Sequence, residues 1–239
     1  MLKILESAVP VACWSCSVAH NDFTLFCPHC SKIQPPPGVD YFAVFGLEQR
    51  LNLDLQALES EFHRLSRKLH PDRFARAGEN EKQWSLADTA LLNDAYRTLK
   101  DPLRRTEYLL KLRGAQIGDE SAAPARRGGA DGEERKDPSR APADLLEEVF
   151  ELNMQLDELR EAHATGEENE ALESSLAEAK KKFDALLGEV DRDLRVQWQA
   201  WDAGNSAERE AAQKVMMALL DRRRYLSNLV RDVTETLGA

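Results

Sequence analysis

Leu65 to Phe74 reads LSRKLHPDRF, and the tripeptide His70-Pro71-Asp72 inside it decides how the flanking sequence is read. Before it, Leu55, Leu58, Phe62, Leu65 and Leu69 recur at steps of three and four, which places them on one face of a helix ending near Leu69. Proline disfavours the helical region for the residue ahead of it, so His70 is expected extended at the helix exit, with Asp72 on the same exposed turn. Downstream, Glu81 to Leu99 reads as another helix, with Leu92, Ala95, Tyr96 and Leu99 on its buried side. Arg64, Arg67, Lys68 and Arg73 lie opposite the leucines or in the loop. As separate residues they are a solvated face; beside an exposed loop they form a docking surface for an acidic partner.

Working outward, Tyr41 to Leu47 reads as a short first helix behind a stiff connector, Pro35-Pro36-Pro37-Gly38. On the other side Asp101-Pro102 breaks the chain, and Leu103 to Arg113 forms a further helix carrying Tyr108, Leu109, Leu110 and Leu112, with Gly114 as its C-cap. All four cysteines precede the connector, as Cys13, Cys16, Cys27 and Cys30 in a C-x2-C-x10-C-x2-C spacing. Two such pairs supply four thiolates for a closed, structural zinc ion with no open position for chemistry. Redox-active or disulfide pairs are the alternative, since C-x2-C is also an oxidoreductase spacing. Trp14, Phe23, Leu25 and Phe26 are expected to cover the knuckles, because so short a segment cannot fold on apolar burial alone.

Charge is unevenly placed. From Asp144 onward there are 22 acidic and 12 basic side chains, against 20 of each before it, so the formal net charge of -10 belongs to the second half. That balance argues against a nucleic-acid backbone as partner. No apolar run approaches a membrane span. The first residues, MLKILESAVPVACWSC, resemble neither a secretory signal nor an Arg-rich transit peptide, so a bacterial cytoplasm is the expected location, with the mitochondrial matrix as alternative.

From Gly118 to Ala143 the chain is Ala, Gly, Pro, Asp, Glu and Arg with almost nothing larger and apolar, and it reads as a disordered linker. Three amphipathic helices follow. Leu145, Val149, Leu152, Leu156 and Leu159 stripe the first. Leu172, Leu176, Ala179, Phe183, Leu186 and Val190 stripe the second, and Val215, Leu219, Leu226, Val230, Val233 and Leu237 the third. With turns at Gly166 and Gly204 they make an antiparallel bundle. The fold class is therefore all-α with a small N-terminal zinc ribbon. Its expected divisions are a ribbon at 1–34, a connector at 35–39, a helical domain at 40–114, a linker at 115–143 and a bundle at 144–239. Leu146, Phe150 and Met154 form a second stripe, rotated roughly 100 to 180° from the Leu145 row at about 100° per residue. Either the preceding helical domain or the neighbouring helix of this chain covers it, or it is a partner-binding face.

The strings DYFAVFGL, LHPDRF, LLNDAYRTLKDPLRR and RRTEYLLKLRG together resemble the J domain of J-type co-chaperones. With the bundle and RRRYLSNL in its last helix, the chain resembles the HscB family, the J-type co-chaperones of iron-sulfur cluster assembly, in the form with an N-terminal zinc domain. The resemblance implies a protein without an active site of its own. His70, Pro71 and Asp72, flanked by Arg64, Arg67, Lys68 and Arg73, would dock on an ATP-dependent chaperone of the seventy-kilodalton heat-shock class and stimulate its ATPase. Leu146, Phe150 and Tyr225 would hold the cluster scaffold protein. Glu147 stands where relatives often have an apolar residue, which narrows that patch. A general J protein for unfolded chains is the nearest alternative, but the Gly/Phe-rich segment usual there is missing. A zinc-ribbon adaptor for nucleic acid and an enzyme using the four cysteines are further ones.

Overall fold

The computed structural model describes residues 11–20, 24–36, 38–115, 142–167 and 169–238. The chain forms two compact units that part between 116 and 117. Phe23 and nearly all of the expected linker lie outside the described residues.

The first unit opens with two short antiparallel strands, β1 (Val11–Ala12) and β2 (Ala19–His20), pairing Val11 with His20 and Ala12 with Ala19. Four helices follow: α1 (Tyr41–Val44), α2 (Leu55–Leu69), α3 (Glu79–Lys100) and α4 (Pro102–Leu112). Three aspartates start three of them. Asp40, Asp54 and Asp101 each accept two backbone N–H groups of the first turn at 2.9–3.0 Å, a cap that contributes about 1 kcal/mol. α1 is shorter than the expected Tyr41–Leu47 because Gly46, at φ 65°, turns the chain and Leu47 N–H closes back on Phe42 O at 2.9 Å.

Leu58, Leu65 and Leu69 of α2 meet Leu92, Ala95 and Leu99 of α3, and Phe42, Leu109 and Leu110 complete the core. Leu55, expected on the buried face, is exposed; as the first residue after the Asp54 cap it stands a turn beyond the core. Tyr96 is half-buried and stacks on Phe62 at 4.1 Å. Tyr41 and Tyr108 stack at 4.4 Å, and the Tyr108 hydroxyl accepts the Tyr41 N–H at 2.8 Å. The DYF and YLL strings thus meet in space.

The second unit holds α5 (Leu146–Thr165), entered through a 3-10 turn at Ala143–Leu145, then α6 (Glu170–Ala203) and α7 (Ser206–Thr236). Gly166, at φ 74°, caps α5. Gly204 is needed for another reason: a Cβ there would stand 2.5 Å from Ala200 O, so only glycine fits the tight α6 to α7 turn. All five expected α5 core residues are buried. In α6 the buried stripe runs past Val190 to Leu194, Trp198 and Trp201, while Ala179 and Leu186 are only half-buried. In α7 the expected arc is corrected. Ala212, Met216 and Leu220 are buried in the first half, and Val215 is exposed. A straight helix drifts against a fixed repeat, so one arc cannot describe both halves of a helix of 31 residues.

Candidate functional site

Pro71 ends α2 and starts a 3-10 turn, Pro71–Phe74, leaving His70 extended at φ -52°, ψ 127°. The turn is held from both sides. His70 Nδ1 accepts the Asp72 N–H at 3.3 Å, and His70 O accepts the Arg73 N–H at 2.9 Å. Leu69 O accepts from Ser85 Oγ at 2.5 Å and Thr89 Oγ1 at 3.4 Å, which ties the exit of α2 to α3. The Asp72 side chain is 90% exposed and the His70 side chain 59%. Arg64, Arg67, Lys68 and Arg73 are all exposed as the sequence predicts. Arg64 forms a two-pronged pair with Glu61, and that guanidinium holds the Glu61 carboxyl below its ordinary range.

The cysteines converge. Their four sulfurs lie within 4.8 Å of one another, with Cys13 to Cys30 at 3.6 Å and Cys16 to Cys27 at 3.8 Å. A tetrahedral metal-thiolate shell with bonds of about 2.3 Å puts its sulfurs about 3.8 Å apart, so the residues fit a metal. The two halves repeat one geometry. Ser17 and Ser31 take left-handed φ of 60° and 59° and return N–H groups to Cys13 O and Cys27 O, both at 2.9 Å. Burial raises the Cys13 thiol, but the N–H groups of Cys16 and Ser15 and the neighbouring thiols outweigh it and bring it down to about 6. Cys16 goes the other way, to about 12; its bond from the Val18 backbone lowers it, and burial with the three neighbouring sulfurs prevails. Charge that one thiolate confers on the cluster is thus withheld from the next, which is the situation a cation relieves.

Leu25 is buried in the ribbon as expected, and Ile33 is buried beside it, whereas Trp14 and Phe26 also reach the helices. The Trp14 ring meets Trp84 of α3 edge-on at 5.5 Å, and Lys68 of α2 lies over the Phe26 ring at 5.8 Å. Lys32 pairs with Glu81 at 3.0 Å and holds that carboxyl below its ordinary range.

On α5, Leu146, Phe150 and Met154 are 48%, 69% and 60% exposed, so the surplus stripe is open surface. Asp144 takes a bidentate bond from Arg222 at 2.9 and 2.8 Å. Tyr225 stands three residues on from Arg222, on the same side of α7. It is half-buried, and burial raises its hydroxyl.

No family model matches the chain. Among curated proteins, the iron-sulfur cluster co-chaperone protein HscB of Mus musculus is 30% identical over 222 residues, 91% of this chain and 79% of the relative. A co-chaperone protein HscB homolog from Aeromonas hydrophila is 36% identical over 167 residues, 64% of this chain and 95% of the relative. The crystal structure of human co-chaperone protein HscB is similar with a TM-score of 0.62 at 26% identity, covering 94% of this chain and 98% of that one. Chaperone HscB from Vibrio cholerae gives 0.53 at 26% identity, over 82% and 96%. The chain belongs to the HscB co-chaperone family.

Members of the HscB family are regulators rather than catalysts. Among the described residues no helix is long and apolar enough to cross a membrane. One residue of this HscB-family chain escapes the sequence reading altogether. Asp88 is fully buried, neither carboxylate oxygen has a hydrogen-bond partner among the described residues, and burial pushes it up to about 7. Extending the α3 column of Leu92, Ala95 and Leu99 backwards by the same steps lands on Asp88 and Ser85, and that signal was available.

Proposed function

We propose that this chain is a co-chaperone of iron-sulfur cluster assembly that joins two partners through two separate surfaces. The His70-Pro71-Asp72 turn docks on an ATP-dependent chaperone of the seventy-kilodalton heat-shock class and stimulates ATP hydrolysis there. Leu146, Phe150 and Tyr225 bind the cluster scaffold protein and deliver it to that chaperone. Residues 1–34 form a zinc ribbon, 35–39 a connector, 40–114 the J domain, 115–143 a linker and 144–239 the scaffold-binding bundle. Zinc bound by Cys13, Cys16, Cys27 and Cys30 would be structural, its four ligands leaving no position for reaction chemistry.

The observation that carries this reading is the exposed, internally bonded turn on a chain whose relatives are HscB co-chaperones. Its residues have distinct work. Asp72 offers an open carboxylate for a charge-assisted bond from a partner's arginine. His70 holds the turn through its ring, while Pro71 keeps His70 and Asp72 presented at low entropic cost. Arg64, Arg67, Lys68 and Arg73 steer the encounter with an acidic surface.

The test is a pair of measurements on one variant. Asp72→Asn should abolish stimulation of the chaperone's ATPase while scaffold binding persists, and His70→Gln should behave alike. Both are exposed substitutions, so unfolding free energy should stay within about 0.5 kcal/mol of the wild type. Undiminished stimulation by Asp72→Asn would refute the docking role.

A further inference from the structure

The ribbon and the helices of the first unit face each other across a cleft of about 890 Å³, and the cleft runs beside the His-Pro-Asp turn. One wall is ribbon, contributed by Thr24 to Pro28 and Ser31 to Ile33. The facing wall carries Arg64 and Lys68 of α2 and Arg73 of the turn. The walls are joined by the Lys32 to Glu81 ion pair, the Lys68 contact with the Phe26 ring and the Trp14 to Trp84 edge contact.

Two roles for the ribbon can be separated by burial. A lid would bury the cations it covers, yet Arg64, Lys68 and Arg73 all line the cleft and all remain exposed. The ribbon therefore adds a wall without taking the charges out of reach. Arg64 is paired within the first unit, with Glu61, and Glu81 is bound to Lys32, whereas Lys68 and Arg73 have no carboxylate at ion-pair distance among the described residues. Cations held between low-dielectric walls focus their field into the gap. A gap of this volume admits a few side chains of an extended segment, not a folded domain.

We propose that this cleft receives an acidic, extended segment of the chaperone that docks at the His-Pro-Asp turn, with the metal ribbon as the second wall of the docking site. The inference rests on the docking role proposed above and gives the ribbon its part in it: two carboxylates of the partner would pair with Lys68 and Arg73 while the ribbon excludes water beside them.

Ser31 provides the probe. It lines the cleft, is exposed, and has a left-handed φ of 59° that aspartate and asparagine adopt more readily than most residues. Ser31→Asp places a negative charge in the cleft, and Ser31→Asn keeps the backbone preference without the charge. Full-length proteins would be titrated with the purified chaperone at low and high salt, with metal content and scaffold binding measured alongside. Ser31→Asp should bind about 3- to 10-fold more weakly at low salt, the difference shrinking at high salt, while Ser31→Asn matches the wild type. Equal affinity for all three, or a loss independent of salt, overturns the inference. Should the aspartate displace the metal, Ser31→Lys is read instead and must tighten binding. Asp72→Asn separates the two levels. If it binds like wild type, the docking role itself fails; if it loses binding while metal-loaded Ser31→Asp keeps it, only the ribbon wall is refuted.

Discussion

At the scale of single residues, Asp88 is where the fold pays for something the sequence pattern does not advertise. A carboxyl in an apolar column is kept neutral by desolvation, and its value of about 7 stands above the ordinary 3.8. The sign of the linkage follows. Below the ordinary value the acid is protonated in both states and stability is full. As pH rises from there through about 7 the unfolded chain loses the proton first, and stability falls. Glu61 and Glu81, held low by Arg64 and Lys32, have the opposite sign. Their contribution is present above the ordinary carboxyl value and is lost as pH falls through their folded values, and replacing Asp88 leaves it in place. Asp88→Asn should therefore flatten the pH profile of hydrogen-exchange protection in α3. At about pH 8 it should raise the opening free energy by about 1–3 kcal/mol, allowing for the unpaired amide hydrogens it introduces. Parallel profiles for the two proteins would mean that Asp88 is ionised and paired in solution. By contrast the His70 turn was legible, because proline acts on its neighbours through sterics that need no tertiary context.

At the scale of elements, legibility followed the range of the forces. Breaks and the α5 stripe are set by residues within a turn of each other, and the Asp101-Pro102 break and the Leu145, Val149, Leu152, Leu156 and Leu159 stripe stand where the pattern puts them. The α7 arc held at Leu226 and Val233 but failed in its first half, because which of Val215 or Met216 faces inward depends on the partner helix and on accumulated drift, neither of which is written locally. The exposed row on α5 was legible as geometry, since the core stripe left it no room. What it binds was carried by resemblance alone. Its exposure now divides the proposed scaffold patch into two kinds of residue. Leu146→Ala and Phe150→Ala leave no cavity and should keep unfolding free energy within about 0.5 kcal/mol, whereas Tyr225 is half-buried and its truncation should cost about 1–2 kcal/mol. Together the three should weaken binding of the purified scaffold protein by about 2–4 kcal/mol. Calorimetric titration and thermal melts decide it: unchanged affinity in the triple variant removes the patch, and a collapse of melting temperature in Phe150→Ala returns that residue to the core.

At the scale of the whole molecule, the proline connector reads in sequence as a separator, yet Lys32, Phe26 and Trp14 reach across to Glu81, Lys68 and Trp84. The spacing of the cysteines made the metal centre legible; these contacts were not, because they join residues far apart in sequence through surface chemistry. Their strength sets what metal removal should do. An ion pair with Lys32 half-exposed contributes about 0–1 kcal/mol, and the aromatic edge contact about 0.5–1.5 kcal/mol. Among its described residues the ribbon has only Leu25 and Ile33 as large buried apolar side chains besides its cysteines, so without four thiolates gathered on a cation it has too little core to stay folded. The J domain keeps Leu58, Leu65, Leu69, Leu92 and Leu99 with no help from the metal. Chelation should accordingly unfold the ribbon alone. Far-UV helicity should persist, the melting temperature of the J domain should drop by about 5 °C, and the indole resonance of Trp84 should shift as Trp14 leaves it. Helicity lost in step with the metal would show that the ribbon is part of the J-domain core. A Trp84 resonance that ignores the metal would show instead that the two pack independently, and the cleft between them would then have no fixed second wall.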